Sequence, residues 1–410
     1  MPPTDVPKII AVTGIGIVSP YGIGMASLEA GLLSGISRLV PAKNVYPEYP
    51  GFEGTTAPVS ELPHFAADSS YRYSRSDRLA IVAAQDAVAD FDRRQASFRD
   101  SGIVMASTVA GLSEIDPGIA QDPAAWYRRH GLARASSYSV ARVASSVGEH
   151  LAIRGPSCAV SVACASGAMA IALAANMLLD GAAPMVLAGG SDALCPFTLS
   201  GFSALQSLDP EPCRPFDQSR RGLNLGEAAA VLVLETLAGA QARGANVLAL
   251  LRGWAMTNDA SHPTAPHKQG IGLAKCINHA MEMAGCAVDE IGYVNAHGTG
   301  TPLNDIAEAN AYELAFRGRR RPVPVSSTKS YFGHCLGSAG SVEAAITISA
   351  VRSGAIFPTL RLTHPIESTT VDWVRGEVRR QPLSLAMSVS IGFGGSNAVL
   401  IFGNSGSAYP

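Results

Sequence analysis

Apolar segments of two kinds alternate along the chain, and this alternation constrains the fold more than any other feature. Short strand-like segments lie at 9–13, 103–105, 185–188 and 230–234, and alanine-rich segments with helical spacing lie at 79–88, 166–179, 271–284 and 342–351. Strands that alternate with helices favour βαβ units, so the pattern predicts an α/β fold. The chain has 410 residues, 47% of them hydrophobic, which exceeds the size at which one core usually suffices. We therefore expect two structural units.

The sequence also contains a faint internal similarity. One strand-like segment opens the chain and a comparable one begins near Leu248, while the strand-to-helix junction at Cys164 resembles the segment 387–395. Internal similarity of this kind indicates a repeated architecture. No low-complexity linker divides the chain.

Cys164 lies where a small, β-like run (157–163) meets a helical run (166–179). A thiol at the start of a helix is close to free backbone N–H groups and to the positive end of the helix dipole, and both favour the thiolate. The junction therefore predicts a nucleophilic, ionised cysteine. The alternative is a small core residue, because free cysteines are among the most buried residues in proteins.

Two histidines lie in glycine-flanked turns that follow short apolar strands. His297 follows the strand-like segment 291–294, and His334 follows 323–325, with Lys329 five residues before it. A lone loop histidine is more often structural than catalytic. A thiol, two imidazoles and an ammonium group together suit acyl transfer with proton handling.

Composition excludes several classes of protein. A formal net charge of −2 argues against nucleic-acid binding, which requires a basic face. Seven cysteines without Cys-x-x-Cys spacing indicate neither a disulfide framework nor a metal site, so a reducing, cytoplasmic location is expected. The first eight residues lack the pattern of a secretory signal. Apolar runs such as 168–179 are shorter than the ~20 residues that a membrane span needs.

Several motifs, taken in order, resemble those of the elongating β-ketoacyl-acyl carrier protein synthases of fatty acid and type II polyketide synthesis, including aryl polyene synthesis. The similarity runs nearly end to end and is carried by 12–20, the Cys164 junction, 215–218 with 226–227, 295–302, 327–329 with 333–334, and 392–397. The resemblance implies the thiolase fold, with two similar βαβα halves in a five-layer αβαβα arrangement. We place the halves at 1–245 and 246–410. The resemblance further implies that excursions at 40–75 and 112–142 cap the pocket and form a dimer contact.

The resemblance implies a decarboxylative Claisen condensation. An acyl group carried on Cys164 would join malonyl-acyl carrier protein to give 3-ketoacyl-acyl carrier protein. His297 and His334, both neutral, would stabilise the enolate oxygen. Backbone N–H groups of Cys164 and Phe393 would bind the acyl oxygen, with Gly394 allowing close backbone approach. No cofactor is expected to be bound permanently, because 4′-phosphopantetheine arrives on the carrier protein.

Other family positions support this centre by resemblance. Lys329 and Glu308 look like a supporting pair, since a buried lysine is costly without a carboxylate. Thr299 and Thr301 resemble the threonines that bind the phosphopantetheine arm, and Thr264 is assigned to the same surface. The alternative for Thr299 and Thr301 is that both are turn residues whose hydroxyl groups bond to their own backbone.

Departures from the family pattern point to an unusual substrate. Ile391 and Phe332 replace a common phenylalanine and threonine, and Arg221 replaces an aspartate. We expect these three positions to lie around the pocket mouth and its gating loop. Thr108 and Val109 fall where related enzymes limit the length of the acyl chain.

The expected partners are acyl-acyl carrier protein, malonyl-acyl carrier protein, and a second subunit. That subunit would be an identical copy or a chain-length-factor-like protein. Docking of the acidic carrier requires basic residues, and Arg72, Arg75 and Arg78 lie where similar enzymes place them. The arginine-rich run 317–321 is the alternative, and a solvated loop is the simpler interpretation of such a run.

Three other functions fit part of the pattern. A papain-like protease has a similar Cys-to-His spacing, but its Cys-Gly-Ser-Cys-Trp context is absent. A thiolase acting on coenzyme A esters would share the fold but would lack the second histidine of the Lys-x4-His motif. A non-catalytic partner subunit would typically lack the nucleophile, so Cys164 favours the catalytic subunit.

Overall fold

A computed structural model of the chain describes residues 9–49, 51–52, 54–63, 73–91, 96–114 and 138–406, together with 122, 124, 125 and 128. Strands in this part of the chain are β1 (Ile10–Ser19), β2 (Gly22–Ile23), β3 (Val40–Pro41), β4 (Thr55–Ala57), β5 (Gly102–Ala106), β6 (Ser157–Val160), β7 (Met185–Asp192), β8 (Leu225–Gly226), β9 (Ala228–Thr236), β10 (Ala249–Asn258), β11 (Ile291–Asn295), β12 (Val323–Ser326), β13 (Ala355–Ile356), β14 (Val371–Trp373), β15 (Arg379–Arg380), β16 (Leu385–Gly392) and β17 (Ser396–Gly403).

The α-helices in the same part of the chain are α1 (Met25–Leu33), α2 (Ala42–Val45), α3 (Arg75–Ala87), α4 (Ala96–Arg99), α5 (Ala141–Leu151), α6 (Ser166–Leu179), α7 (Pro196–Ala204), α8 (Leu237–Ala242), α9 (Ile271–Ala284), α10 (Pro302–Ala315), α11 (Lys329–Phe332) and α12 (Ala339–Ser353). Short 3-10 helices lie at Ala110–Glu114, Val288–Glu290 and Leu336–Ser338. Among the described residues, none of the helices is long and apolar enough to cross a membrane.

The main sheet repeats one strand order on either side of its centre. Its order is β14-β12-β11-β16-β17-β10-β1-β9-β7-β5-β6, with β2 beside β1. If only the strands on this path are counted, each side runs outward from the central β1–β10 pair as the first, last, last but one, second and third strand of its half, and β14 is an extra edge strand. The structure therefore contains the two similar halves that the resemblance implied.

The repeat corrects the internal similarity expected from the sequence. Cys164 follows β6, the third strand in the order of the first half, and the corresponding strand of the second half is β12. The junction at Cys164 therefore matches the segment that contains His334. The segment 387–395, which was expected to match it, includes most of β16, the counterpart of β7.

The two halves of the sheet enclose helices α6 and α12. Helix α6 packs on β5, β7 and β9 and also contacts β10 and β17, while α12 packs on β16 and contacts β9 and β7. Helices α3 and α5 pack against strands of the first half, and α9 packs against β10 and β17 with α10 beside it. This is the five-layer αβαβα arrangement of the thiolase fold.

The central helices approach closely because small residues line them. Nearly all residues of α12 are buried, as is most of α6, which agrees with helices that are apolar on all sides. A Cβ atom on Gly167 would lie 2.7 Å from the Ser341 nitrogen, and one on Gly340 would lie 2.5 Å from the Ala168 nitrogen. Glycine at both positions therefore brings the first turns of the two helices together.

The proposed division after residue 245 lies between α8 and β10 and stays a proposal. Of the excursion 40–75, the structure describes β3, α2 and β4, and β3, β4 and β8 form a separate three-stranded sheet in that order. Most of the excursion 112–142 lies outside the described residues. Its expected role as cap and dimer contact therefore stays a prediction.

Candidate active site

A strained turn presents Cys164 between β6 and α6. Ala163 adopts a left-handed conformation with φ of 50°, which is uncommon for a residue with a side chain. The Ser166 hydroxyl holds the turn, since it accepts from the Val162 N–H at 2.8 Å and donates to the Ala163 carbonyl at 2.5 Å. The turn orients the thiol into a cavity of about 310 Å³.

The thiol of Cys164 is protonated in the resting structure. Burial raises its pKa to about 12, and the charges of Asp192 and Glu343 add to the effect while Lys329 opposes it. The prediction of a resting thiolate was therefore wrong. Cys164 is only 7% exposed, and the cost of desolvating an anion outweighs the favourable position before a helix.

Two buried imidazoles share the cavity with the thiol. His297 follows β11 and His334 follows β12, and these strands are parallel neighbours whose carboxyl ends meet at one edge. The ring centroids are 5.3 Å apart and the ring planes are nearly perpendicular, at 88°. Cys164, His297 and His334 all line the same cavity.

Both imidazoles are neutral at pH 7. Burial lowers the pKa of His297 and His334 well below the usual value, and the nearby ammonium of Lys329 lowers both further. Lys329 Nζ lies 3.4 Å from His297 Nδ1. Because an ammonium can only donate, this contact leaves the ring proton of His297 on Nε2. Neither ring nitrogen of His334 has a hydrogen-bond partner within the described part of the chain.

Lys329 pairs with a carboxylate that the sequence analysis missed. Its Nζ contacts Glu343 of α12 and donates to the His297 carbonyl at 2.5 Å. The expected pairing with Glu308 was wrong, because the packing of α12 brings Glu343 to the lysine instead. The sequence contains a signal for this pair. Glu343 is the sole Asp, Glu, Lys or Arg between 330 and 351, and an acid in such an apolar run requires a partner if it is buried.

Glu308 holds the turn that contains His297. Its carboxylate accepts from the backbone N–H groups of His297 and Gly298 at 2.7 and 2.8 Å, and from the Tyr312 hydroxyl at 2.7 Å. Burial raises the pKa of Glu308 to about 7, against the effect of these donors. Glu308 therefore fixes the backbone of the His297 turn rather than pairing with the charge of Lys329.

The end of β16 lies against the nucleophile turn. A Cβ on Gly392 would lie 2.9 Å from the Val162 oxygen and 3.3 Å from the Cys164 nitrogen. Phe393 lines the cavity, and its ring centroid is 5.7 Å from that of Phe202. Gly394 has φ of 81°, and a Cβ added there would meet open space. Glycine is therefore suited to this position because the backbone is left-handed, and not because another segment approaches the backbone closely, as we expected.

The three threonines assigned to the phosphopantetheine arm all line the cavity. The Thr299 and Thr301 hydroxyls are 2.9 Å apart, and the Thr299 hydroxyl is 3.5 Å from the Asp305 carboxylate. Thr264 is exposed, and its backbone N–H donates to His262 Nδ1 at 3.1 Å. The three threonines therefore share the cavity lining with the thiol, and Thr264 lies at its exposed side.

Of the departures from the family pattern, Ile391 is at the cavity and the other two are not. Ile391 lines the cavity wall. Phe332 packs in the core, with its ring perpendicular to that of Tyr21 at 6.2 Å, so its expected place at the pocket mouth was wrong. Gly333, with φ of 75°, reverses the chain between Phe332 and His334. Arg221 is also outside the cavity lining and pairs with Asp209 at 2.9 Å.

Thr108 and Val109 lie behind the cavity wall and not in it. Both donate backbone N–H groups to the Asp192 carboxylate, at 2.9 Å each to one oxygen. Val109 packs in an apolar cluster with Leu223, which does line the cavity. An effect on chain length through that contact stays a prediction.

The expected docking arginines differ in how they are bound. Arg72 lies outside the described residues. Arg75 binds Glu227 through two nitrogens, and Arg78 is 3.5 Å from Glu114. In the alternative run, Arg320 pairs with Asp289. Carrier docking by either group therefore stays a prediction.

Comparison with known proteins gives one consistent result. Two family models match, described as the N-terminal domain of beta-ketoacyl synthase over residues 8–240 and the C-terminal domain over residues 248–363. A 3-oxoacyl-[acyl-carrier-protein] synthase 2 of Staphylococcus aureus is 32% identical, with 96% of this chain and 98% of that protein covered.

Solved structures agree with this match. The ishigamide ketosynthase/chain length factor superposes with a TM-score of 0.89 at 29% identity, covering 98% of this chain and 100% of that one. A type II polyketide synthase acyl-carrier protein in complex with its ketosynthase gives a TM-score of 0.86 at 25% identity, covering 97% and 100%. The cysteine, the paired histidines and these matches lead to one conclusion: the chain belongs to the β-ketoacyl synthase family.

Proposed function

We propose that this protein is a β-ketoacyl-acyl carrier protein synthase, an acyltransferase that condenses an acyl thioester with malonyl-acyl carrier protein and releases carbon dioxide. One observation carries the proposal. A thiol and two neutral imidazoles line a single cavity, and three threonines share its lining. The cavity thus combines a nucleophile with two N–H donors.

In the first half-reaction, the Cys164 sulfur attacks the acyl thioester. The bond between the acyl carbon and the carrier sulfur breaks, and the proton of Cys164 goes to that sulfur. A thiol and a thioester exchange places, so no net acid or base is consumed. This balance suits a thiol with a pKa of about 12, because it releases its proton only as the substrate reacts. The Cys164 and Phe393 N–H groups are the proposed oxyanion hole, with Gly394 shaping the loop.

In the second half-reaction, the malonyl thioester loses carbon dioxide. The electron pair of the broken carbon–carbon bond forms an enolate. The enolate oxygen accepts hydrogen bonds from the ring N–H groups of His297 and His334. The enolate carbon attacks the acyl carbon, the bond to Cys164 sulfur breaks, and the thiolate takes a proton from solvent. Neutral imidazoles suit this role, because each keeps one N–H and one lone pair. Lys329 and Glu308 hold the His297 turn from two sides.

The substrate arm is 4′-phosphopantetheine, delivered on the carrier protein rather than held by this chain. Thr264, Thr299 and Thr301 provide hydroxyl groups along the cavity, and the entrance beside them includes Leu303, which is 67% exposed. An amide-bearing arm needs such polar groups in a narrow route. The residues present therefore fit the arm.

The proposed partners follow from the relatives. A ketosynthase with 25% identity has been solved with its acyl-carrier protein, and one with 29% identity as a ketosynthase/chain length factor. We assign to this chain acyl- and malonyl-carrier proteins and a second subunit, either identical or chain-length-factor-like. Retention of Cys164 makes this chain the catalytic subunit. The cytoplasm is the proposed location.

The substrate is proposed to be an unusual or unsaturated acyl chain of polyketide or polyene type. The supporting observation is Ile391 in the cavity wall, where the family commonly has a larger aromatic residue. A shorter side chain at this position leaves room beside Phe393. Fatty acid synthesis is the alternative, and the relative from Staphylococcus aureus bears a 3-oxoacyl-carrier protein synthase name.

The test is intact-protein mass spectrometry after incubation with a panel of acyl-carrier proteins. We expect an acyl adduct on Cys164 and, after malonyl-carrier protein is added, a 3-ketoacyl product. Cys164→Ala should lower condensation by at least about a thousandfold, the scale of losing a nucleophile. Cys158→Ala, which removes a partly buried thiol on β6, is the matched control and should behave as wild type. An adduct on Cys158 or Cys335, or reaction with coenzyme A esters alone, would contradict the proposal.

A further inference from the structure

A buried carboxylate outside the proposed chemistry connects two segments of the active site. Asp192, the last residue of β7, is fully buried. Its oxygens accept from the Ser107 hydroxyl at 2.6 Å, the Thr108 hydroxyl at 2.6 Å, the Thr108 and Val109 N–H groups at 2.9 Å, and the Gly337 N–H at 2.7 Å. All of these partners are neutral donors. They come from two places: the segment after β5 and the loop that contains His334.

The contact with Gly337 is tight on both sides. A Cβ on Gly337 would lie 2.7 Å from Asp192 Oδ2, and one on Gly167 would lie 3.0 Å from the Gly337 oxygen. Gly337 is therefore held between the carboxylate and the first turn of α6. Cys164 precedes that turn and His334 is three residues before Gly337, so the contacts of Gly337 connect the segments that carry the two reactive groups.

The charge of Asp192 also acts on the thiol. It is one of the groups that raise the pKa of Cys164, together with Glu343 and against Lys329. The two imidazoles near the thiol are neutral. The charged groups that act on the thiol are thus one ammonium and two carboxylates, and Asp192 is the carboxylate that makes no bond to the lysine.

We propose that Asp192 is a positioning residue for condensation, which fixes the His334 loop against the nucleophile helix and ties both to the Thr108–Val109 segment. This inference rests on the proposed function. It predicts that the charge and shape of Asp192 set the spacing of Cys164 and His334, beyond any contribution to folding. It also connects the segment expected to sense acyl-chain length with the histidine that acts in decarboxylation.

Asp192→Asn is the sharpest variant. The amide keeps the shape but replaces one acceptor oxygen by an NH₂ group, which must then face the Gly337 N–H or the N–H groups of Thr108 and Val109. Two donors in contact repel, so the His334 loop shifts in one orientation of the amide and the Thr108–Val109 segment shifts in the other. Ser191→Ala is the matched control, because Ser191 is buried on the same strand and donates to Ser76 on the other face, at 2.7 Å.

The first measurement is malonyl-carrier decarboxylation per folded protein. A displacement of about 1 Å costs about 100-fold in rate, so we expect Asp192→Asn to lose about that factor and Ser191→Ala to lose nothing. The second is the pH profile of Cys164 alkylation by iodoacetamide, a probe that needs no enzymatic turnover. We expect the profile of Asp192→Asn to move to lower pH, since a negative charge near the thiol is removed.

The two readouts separate the possible failures. If wild-type protein does not decarboxylate any malonyl thioester, the proposed function fails, while the alkylation profile still tests Asp192. If Asp192→Asn folds, with unchanged decarboxylation and alkylation, the residue is only structural and the inference is overturned. If Asp192→Asn does not fold, Thr108→Ala removes one hydroxyl donor to the same carboxylate. A lower decarboxylation rate in that variant would support the inference, and a wild-type rate would overturn it.

Discussion

The two halves of the molecule share a strand order but contribute different chemistry. In the first half, the turn after β6 presents the Cys164 thiol. In the second half, the turns after β11 and β12 present His297 and His334. The repeat thus places loops on both sides of the cavity, and in our proposal the first-half loop forms the covalent bond while the second-half loops stabilise the enolate.

The loops after the second strand of each half show the difference most clearly. Each has two consecutive backbone N–H groups bound by a buried carboxylate: Thr108 and Val109 by Asp192, and His297 and Gly298 by Glu308. Yet the loop with Thr108 stays behind the cavity wall, while the loop with His297 lines it. The same backbone arrangement therefore supports a segment behind the cavity wall in one half and a segment of the cavity lining in the other.

The strongest test of this difference between the halves asks which step of the reaction each variant loses. His297→Ala and His334→Ala should each lower malonyl decarboxylation by about two to three orders of magnitude, the effect of losing one donor to an oxyanion. Acylation of Cys164 should survive better, because the first half supplies the nucleophile. The measurements are carbon dioxide release and the acyl adduct by mass spectrometry.

The same two assays on Cys164→Ala should give the opposite pattern: the acyl adduct and condensation are lost, and carbon dioxide release is retained. His279→Ala is a control for loss of an imidazole, since His279 is exposed on α9 and outside the cavity lining. Normal decarboxylation in both cavity-histidine variants would remove their proposed role. Equal loss of both steps in every variant would show that the halves do not divide the reaction.

The ion pair between Lys329 and Glu343 joins two helices of the second half. Removing one member of a buried pair costs about 3 to 5 kcal/mol, because the other charge is left without compensation. Lys329→Met should therefore lower the free energy of unfolding by about that amount and decarboxylation by tens of fold. The double variant Lys329→Met with Glu343→Met should recover much of the stability but not the rate. Urea unfolding and carbon dioxide release measure the two effects.

The same lysine gives a prediction on pH. Its ammonium lowers the pKa of both imidazoles, after burial, so Lys329→Met should raise those pKa values towards the usual one. The imidazoles then gain a proton at higher pH than in the wild type, and the acid limb of the decarboxylation profile moves up. A profile that does not move would show that burial alone keeps the imidazoles neutral.

Local patterns predicted the fold class and the groups that line the cavity, but not the ion-pair partner of Lys329 or the protonation state of the thiol. Cys164 and the two histidines were identified because strand-to-loop junctions can be recognised in sequence. The partner of Lys329 was wrong, because Glu343 reaches it through the packing of α12 against the sheet. The state of the thiol was also wrong, because 7% exposure is a property of the whole fold.

The smallest expected effect distinguishes the two substitutions that sequence analysis treated alike. Ile391 lines the cavity, so Ile391→Phe should shift preference among acyl-carrier proteins towards saturated chains by tens of fold, within the roughly 10- to 200-fold range of methylene-scale changes. Phe332 is 2% exposed in a core cluster. Phe332→Thr should therefore lower the free energy of unfolding by about 3 kcal/mol, as for other core truncations, and leave preference unchanged.

Competition between saturated and polyene acyl-carrier proteins, read as the ratio of acyl adducts on Cys164, measures the preference. Chemical unfolding of the same variants measures stability. The comparison is sharp because the two residues have different surroundings: Ile391 lines the cavity, and Phe332 packs against Tyr21 in a core cluster outside the cavity lining. A change of preference in Phe332→Thr but not in Ile391→Phe would reverse this assignment. Equal use of all saturated lengths by the wild type, with no gain for polyene chains, would exclude a pocket shaped for an unusual substrate.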